Sequence, residues 1–143
     1  MATNIISVDL VRAALRSEEL ASVPRSELEE DVRDYERFLL LVKEHPDLPL
    51  APTKRLDRMW HLHMLNPRAY HADCVRLFGD ILDHDGGFGS TEAEAPILQE
   101  RFTLTAALWE ARFGEPYVGS GVACTRNCVS RCQRRCSSLA SAA

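Results

Sequence analysis

The sequence predicts an all-α protein: a single compact bundle of about five helices over residues 1–115, then a Cys/Arg-rich C-terminal extension over residues 116–143. Three observations predict it. Apolar residues recur at three- and four-residue intervals, the spacing that lines one face of an α-helix. Proline, glycine and cap-forming residues punctuate those runs at helix-length intervals. No strand-like alternation of apolar and polar residues competes with them.

Each element follows in order. "SVDLVRAALRSEEL" places Val8, Val11, Ala14 and Leu15 at helical spacing. Ser26 opens "SELE", which reads as a capping box with Glu29 three residues on, and acidic residues crowd that first turn. The following helix sets Leu28, Val32, Tyr35, Leu39 and Val42 on one face. It should end at His45-Pro46, because the residue before proline avoids the α region. "PDLPLAPT" carries three prolines and reads as an extended connector that packs Leu48 and Leu50. Thr53 suits the N-cap of a third helix running to Leu65. Asn66-Pro67 combines a stop with a start, Asn as N-cap and Pro at the first helical position. That fourth helix ends near Gly79, and "DHDGGFGSTEAEA" is a glycine-bearing loop. A last helix begins near Thr91 or Pro96 and runs to Gly114, burying Ile97, Phe102, Leu104, Leu108 and Trp109. Gly119 and Gly121 mark a linker to the tail.

Composition narrows the class. The 143 residues are 45% hydrophobic, and a domain of that size buries roughly 68–70% of its unfolded surface, so a real core is expected. No run approaches the ~20 apolar residues of a membrane span; the longest is Phe38–Val42. The N-terminus lacks a basic start followed by an apolar block, which gives the expectation of a cytoplasmic protein with reduced thiols. The net charge of −4 conceals an asymmetry: residues 1–115 hold 13 Lys+Arg against 21 Asp+Glu, whereas residues 116–143 hold four arginines and no acid. An acidic body argues against nucleic-acid binding, which needs a dense basic face. The basic tail is left as the place where a protein partner would dock.

The chemistry concentrates in "DRMWHLHMLNPRAYHADC", Asp57–Cys74. At about 100° per residue, Leu56, Met59, Trp60, His63 and Met64 share one arc, and His61 falls roughly 200° from His63. His61 and His63 therefore cannot chelate one ion, since helical chelation needs i,i+3 or i,i+4 spacing. Asp57 and His61 have that spacing, so a carboxylate can orient an imidazole or share an ion with it. On the next helix Tyr70, Cys74, Leu77 and Phe78 form the apolar arc, with Asp73 at its edge and His71 at a border. Two sub-sites are open: an inward one of His63 with Cys74 and Tyr70, and a rim site of Asp57 with His61, reached by His71 or by His84 from the loop. The competing reading of the inward pair is a hydrogen-bonded core histidine and a small buried hydrophobe. No nucleophile elbow, phosphate loop or HExxH pattern is present, so an enzyme is not the favoured reading.

The run "RLDRMWHLHMLNPRAYHADCVRLFGDILDHDGGFG" resembles the glycine-rich domain-containing protein-like family through Asp57, Trp60, His61, His63, Met64, Leu65, Pro67, Tyr70, Asp73, Cys74, Gly79, His84 and Asp85. "YERFLLLVKEHPDLPLAPT" is similar to that family's lead-in helix and connector, so the resemblance spans roughly residues 28 to 114. It supplies no catalytic or metal-binding residues to carry over. It implies that Trp-His-x-His and Asp-Cys recur as a unit, and side chains of metal-ligand type are an odd choice for packing alone.

The tail holds Cys124, Cys128, Cys132 and Cys136 at identical spacing. In a helix, successive thiols would stand about 6 Å apart along the axis, so four spread over roughly 18 Å could not all bind one tetrahedral ion. Either the chain wraps one ion, or the stripe binds soft ions such as Cu(I) pairwise, or it pairs with another chain. Arg126, Arg131, Arg134 and Arg135 would favour thiolate over thiol. The sequence thus points to a small metal-binding protein for zinc or copper. Its body site would draw on Asp57, His61, His63, His71, Cys74 and His84, with the tail as a second thiolate site. The alternative is a non-enzymatic helical interaction module with structural histidines and a redox-active or partner-docking tail.

Overall fold

The computed structural model describes residues 4–86 and 88–117; the extension and its four cysteines lie outside the described residues. Among the described residues there are five helices and no extended strand: α1 (Leu10–Leu15), α2 (Arg25–Glu44), α3 (Lys54–Met64), α4 (Pro67–Phe78) and α5 (Glu94–Phe113). The all-α expectation holds, with three local corrections.

The first helix is short. Asp9 caps it by accepting from the Arg12 N–H at 3.0 Å, and only Leu10 and Ala14 of its residues are buried, while Leu15 is exposed. The second correction is the start of α2. Its cap is Pro24, whose carbonyl accepts from the N–H groups of Glu27 and Leu28. Ser26 is therefore already inside the first turn, where it cannot act as a cap, and no side-chain capping bond forms. The buried face of α2 runs through Leu28, Asp31, Tyr35, Phe38, Leu39 and Leu41, rotated slightly from the expected line. Third, Ile97 lies on the exposed side of α5, whose buried residues are Leu98, Phe102, Thr105 and Trp109.

Elsewhere the punctuation works as read. Thr53 accepts from the Leu56 N–H at 3.2 Å. Pro67 occupies the first turn of α4 behind Asn66, although Asn66 turns its amide back to the Leu62 carbonyl at 2.9 Å instead of capping forwards. Gly79 and Gly114 end α4 and α5 in the left-handed region, at φ 82° and 70°, where a side chain is disfavoured.

The chain divides into two compact units. The described residues of the first are 4–46 and 58–83. There α1 packs on α2, and the core includes Leu10, Leu28, Tyr35, Phe38, Met59 and Trp60, with the Phe38 and Trp60 rings 5.6 Å apart. The described residues of the second are 47–57, 84–86 and 88–117. Its proline-rich connector is tied to α5 by the Ala51 N–H, which donates to Thr105 Oγ1 at 2.9 Å. The Tyr117 hydroxyl donates to the Ala51 carbonyl at 2.8 Å, and its ring stacks near Phe102 and Trp109. The division falls within α3, between Asp57 and Arg58.

Candidate metal centre

α3 separates its two histidines as the 100° rule requires: His63 is 1% exposed, while His61 lies at the surface. Their surroundings give them different chemistry.

His63 sits in a hydrogen-bonded network inside the first unit. Its Nε2 lies 2.9 Å from Asp73 Oδ2, and its Nδ1 lies 2.8 Å from the Tyr35 hydroxyl. A carboxylate only accepts, so Nε2 carries the proton; Nδ1 is then the acceptor and Tyr35 the donor. Asp73 Oδ2 also accepts from the Ser7 N–H and hydroxyl at 2.9 and 3.0 Å, and Oδ1 accepts from Arg76 Nη2 at 2.9 Å. The Tyr35 and Tyr70 rings meet the imidazole edge-on, at 5.7 and 5.0 Å. Trp60 Nε1 donates to the Tyr70 hydroxyl at 3.0 Å, and Tyr70 donates to the Leu82 carbonyl.

Titration behaviour follows from these contacts. Burial pushes the His63 pKa below its ordinary value, against the opposing pull of the Asp73 carboxylate. Burial pushes Asp73 upward, but the bonds from Ser7, His63 and Arg76 outweigh it and hold the carboxyl below the usual range. Burial raises both Tyr35 and Tyr70, so both stay protonated hydroxyls. His63 is thus a neutral imidazole with both nitrogens engaged, and it has no free lone pair for an ion.

This resolves the inward sub-site. Cys74 is buried at 2% exposure, a free thiol on α4, but among the described residues no ligand group forms around His63, His71 or Cys74. His71 is exposed and stays apart. The inward half of the motif is a hydrogen-bonded core.

The rim behaves differently. Asp57 stands in the first turn of α3 and is 9% exposed. His84, in the glycine-bearing loop, brings Nε2 to 3.0 Å from Asp57 Oδ1, with both side chains largely withdrawn from solvent. His61 lies one turn beyond Asp57 on the same helix, and the two offer donor atoms within 4.8 Å of each other. Asp57 is therefore approached by one imidazole through helical spacing and by another through the loop. A carboxylate with two neutral imidazoles is a donor set for first-row transition ions.

Sequence reasoning named Asp57, His61, His63, Cys74 and His84, but it missed Tyr35, Ser7 and Arg76 as partners of the core histidine. Arg76 had a signal, being i+3 from Asp73. Tyr35 had a weaker one, a hydroxyl on an apolar face opposite an inward imidazole. Ser7 had none, lying 66 residues from Asp73.

Comparison with known proteins matches this arrangement to a family. The chain is 37% identical over 98 residues to glycine-rich domain-containing protein 1 of Arabidopsis thaliana and 33% identical over 98 residues to glycine-rich domain-containing protein 2 of the same plant. Each alignment covers 66% of this chain and 12% of the relative, so the chain matches only a small part of either. No solved structure matches it. The family model described as glycine-rich domain-containing protein-like matches residues 2–73, a stretch that holds Ser7, Tyr35, Asp57, Trp60, His61, His63, Tyr70 and Asp73. Over half its length, and through both halves of the histidine motif, this chain belongs to the glycine-rich domain-containing protein-like family.

Proposed function

We propose that the protein is a small metal-binding module whose body site is centred on Asp57, with His61 and His84 as the imidazole ligands. The observation that carries this reading is the 3.0 Å approach of His84 Nε2 to Asp57 Oδ1, with His61 one helical turn away on the side of α3 that His63 does not use. Two ligands bound to one tetrahedral ion at about 2.0–2.1 Å stand about 3.3 Å apart, so the Asp57–His84 pair is already near ligand spacing. Three protein ligands leave at least one coordination position exchangeable, as in sites that bind or pass on small ligands rather than purely structural ones. Copper heads the affinity order of divalent first-row ions for such N/O donors, and zinc, which lies below it, suits imidazole and carboxylate ligands in tetrahedral sites. The tail thiols Cys124, Cys128, Cys132 and Cys136 are proposed as a second, softer site for capture or transfer.

Calorimetric titration with zinc tests the body site in a protein whose four tail cysteines are replaced by serine. One equivalent should bind, and Asp57→Asn, His61→Ala and His84→Ala should each weaken binding by at least about tenfold. His63→Gln should leave the stoichiometry at one, because His63 supplies no ligand. Neutral imidazole and ionised carboxylate are the binding forms, so affinity should fall as the solution is acidified. Affinity unchanged from the parent protein in the His61→Ala and His84→Ala variants would remove the proposal.

A further inference from the structure

Residues 4–7 belong to no helix, yet side chains of α4 hold their main chain. The Ser7 N–H and hydroxyl both donate to Asp73 Oδ2, at 2.9 and 3.0 Å. The Ile5 carbonyl accepts from Arg76 Nη2 at 2.6 Å. The Ile6 side chain between them is 6% exposed. The segment is thus read through one main-chain N–H, one main-chain carbonyl, one aliphatic side chain and one hydroxyl. That is the recognition mode of an extended peptide, in which main-chain bonds give affinity and a pocket gives specificity.

We propose that this face, formed by Asp73 and Arg76 of α4, is a docking site for an extended peptide of the pattern aliphatic–Ser, and that residues 4–7 occupy it in cis as a releasable strap. Release does not strand the buried carboxylate, because Asp73 keeps His63 and Arg76 as donors. Water can replace the other contacts, since Ser7 is exposed and the Arg76 side chain is 48% exposed. The freed site offers one carboxylate for N–H and O–H donors, a guanidinium for a carbonyl, and the space left by Ile6. It selects a neutral hydroxyl, because a phosphorylated serine would set a second anion against Asp73. The site is independent of the proposed metal centre and stands or falls separately.

Native-state hydrogen exchange on the full chain tests release. The Ile6 and Ser7 amides should exchange at least about tenfold faster than the α2 amides around Leu39, as a local opening; exchange at the same rate as α2 would mean the strap opens only on global unfolding and would overturn the proposal. Peptide binding tests recognition. A chain lacking residues 1–8 should fold and bind a synthetic peptide of residues 1–10 saturably, with shifts at Asp73 and Arg76. Asp73→Asn, or a peptide with Ser7→Pro, should weaken that binding at least about tenfold. A truncated chain that folds but ignores the peptide, or that does not fold, overturns the proposal.

Discussion

His63 is a residue whose type suggests a ligand and whose partners make it a core element. Its Nδ1 depends on the Tyr35 hydroxyl, at 2.8 Å and out of reach of water. Tyr35→Phe keeps the ring but leaves a buried acceptor unpaired, which should cost about 1–3 kcal/mol in urea unfolding. A cost near zero would mean that the bond contributes nothing net. The same network sets a pH dependence. His63 titrates below its ordinary value when folded, so below about pH 6.5 the unfolded chain binds a proton that the native one still refuses. Stability should therefore decline as pH falls from about 6.5 through the folded His63 pKa. Asp73 is held low, so its contribution is present above about pH 3.9 and is lost as pH falls through its folded value. Denaturation midpoints between pH 7.5 and 3 check both windows, and His63→Gln should remove the upper one alone. An unchanged upper slope in that variant would assign it to another group.

At the scale of elements, two residues that look alike in the sequence behave oppositely. Ser26 and Thr53 both precede helical runs, and Ser26 even has a glutamate three residues on. In the structure Thr53 is 4% exposed and holds the Leu56 N–H, while Ser26 is exposed inside a turn that Pro24 has already begun. Thr53→Ala should cost about 0.5–2 kcal/mol, and Ser26→Ala should change thermal stability by less than about 0.5 kcal/mol. Equal losses would restore the capping box. The periodic elements were legible because burial of one face imposes a 3.6-residue period wherever a helix packs. The Asn66-Pro67 corner and the glycine stops were legible for a backbone reason, since few residues can occupy those positions. The precise start of α2 was not, because Pro24, two residues earlier, competes with Ser26 for the same role.

At the scale of the whole molecule, the candidate site was legible in part. The divergence of His61 from His63 follows from helical geometry alone, and so does the pairing of Asp57 with His61. The choice of His84 over His71 as the other partner was open in the sequence, because a loop carries no period from which to fix a direction. The Ser7–Asp73 contact was illegible for the same reason, being made by chain segments 66 residues apart. The family match ends at Asp73, short of His84. The proposed loop ligand, His84, therefore stands outside the matched stretch, and the proposal for it rests on its place beside Asp57.

X-ray absorption at the zinc edge tests the central claim most directly, on zinc-loaded protein with the four tail cysteines replaced by serine. A first shell of nitrogen and oxygen at about 2.0–2.1 Å is expected, with outer-shell scattering from two imidazoles and no sulfur at about 2.3 Å. Loss of one imidazole in His84→Ala would fix the loop ligand. A sulfur-bearing shell would instead place the ion at Cys74, and protein that retains no zinc would leave Asp57, His61 and His84 as a surface cluster without an ion.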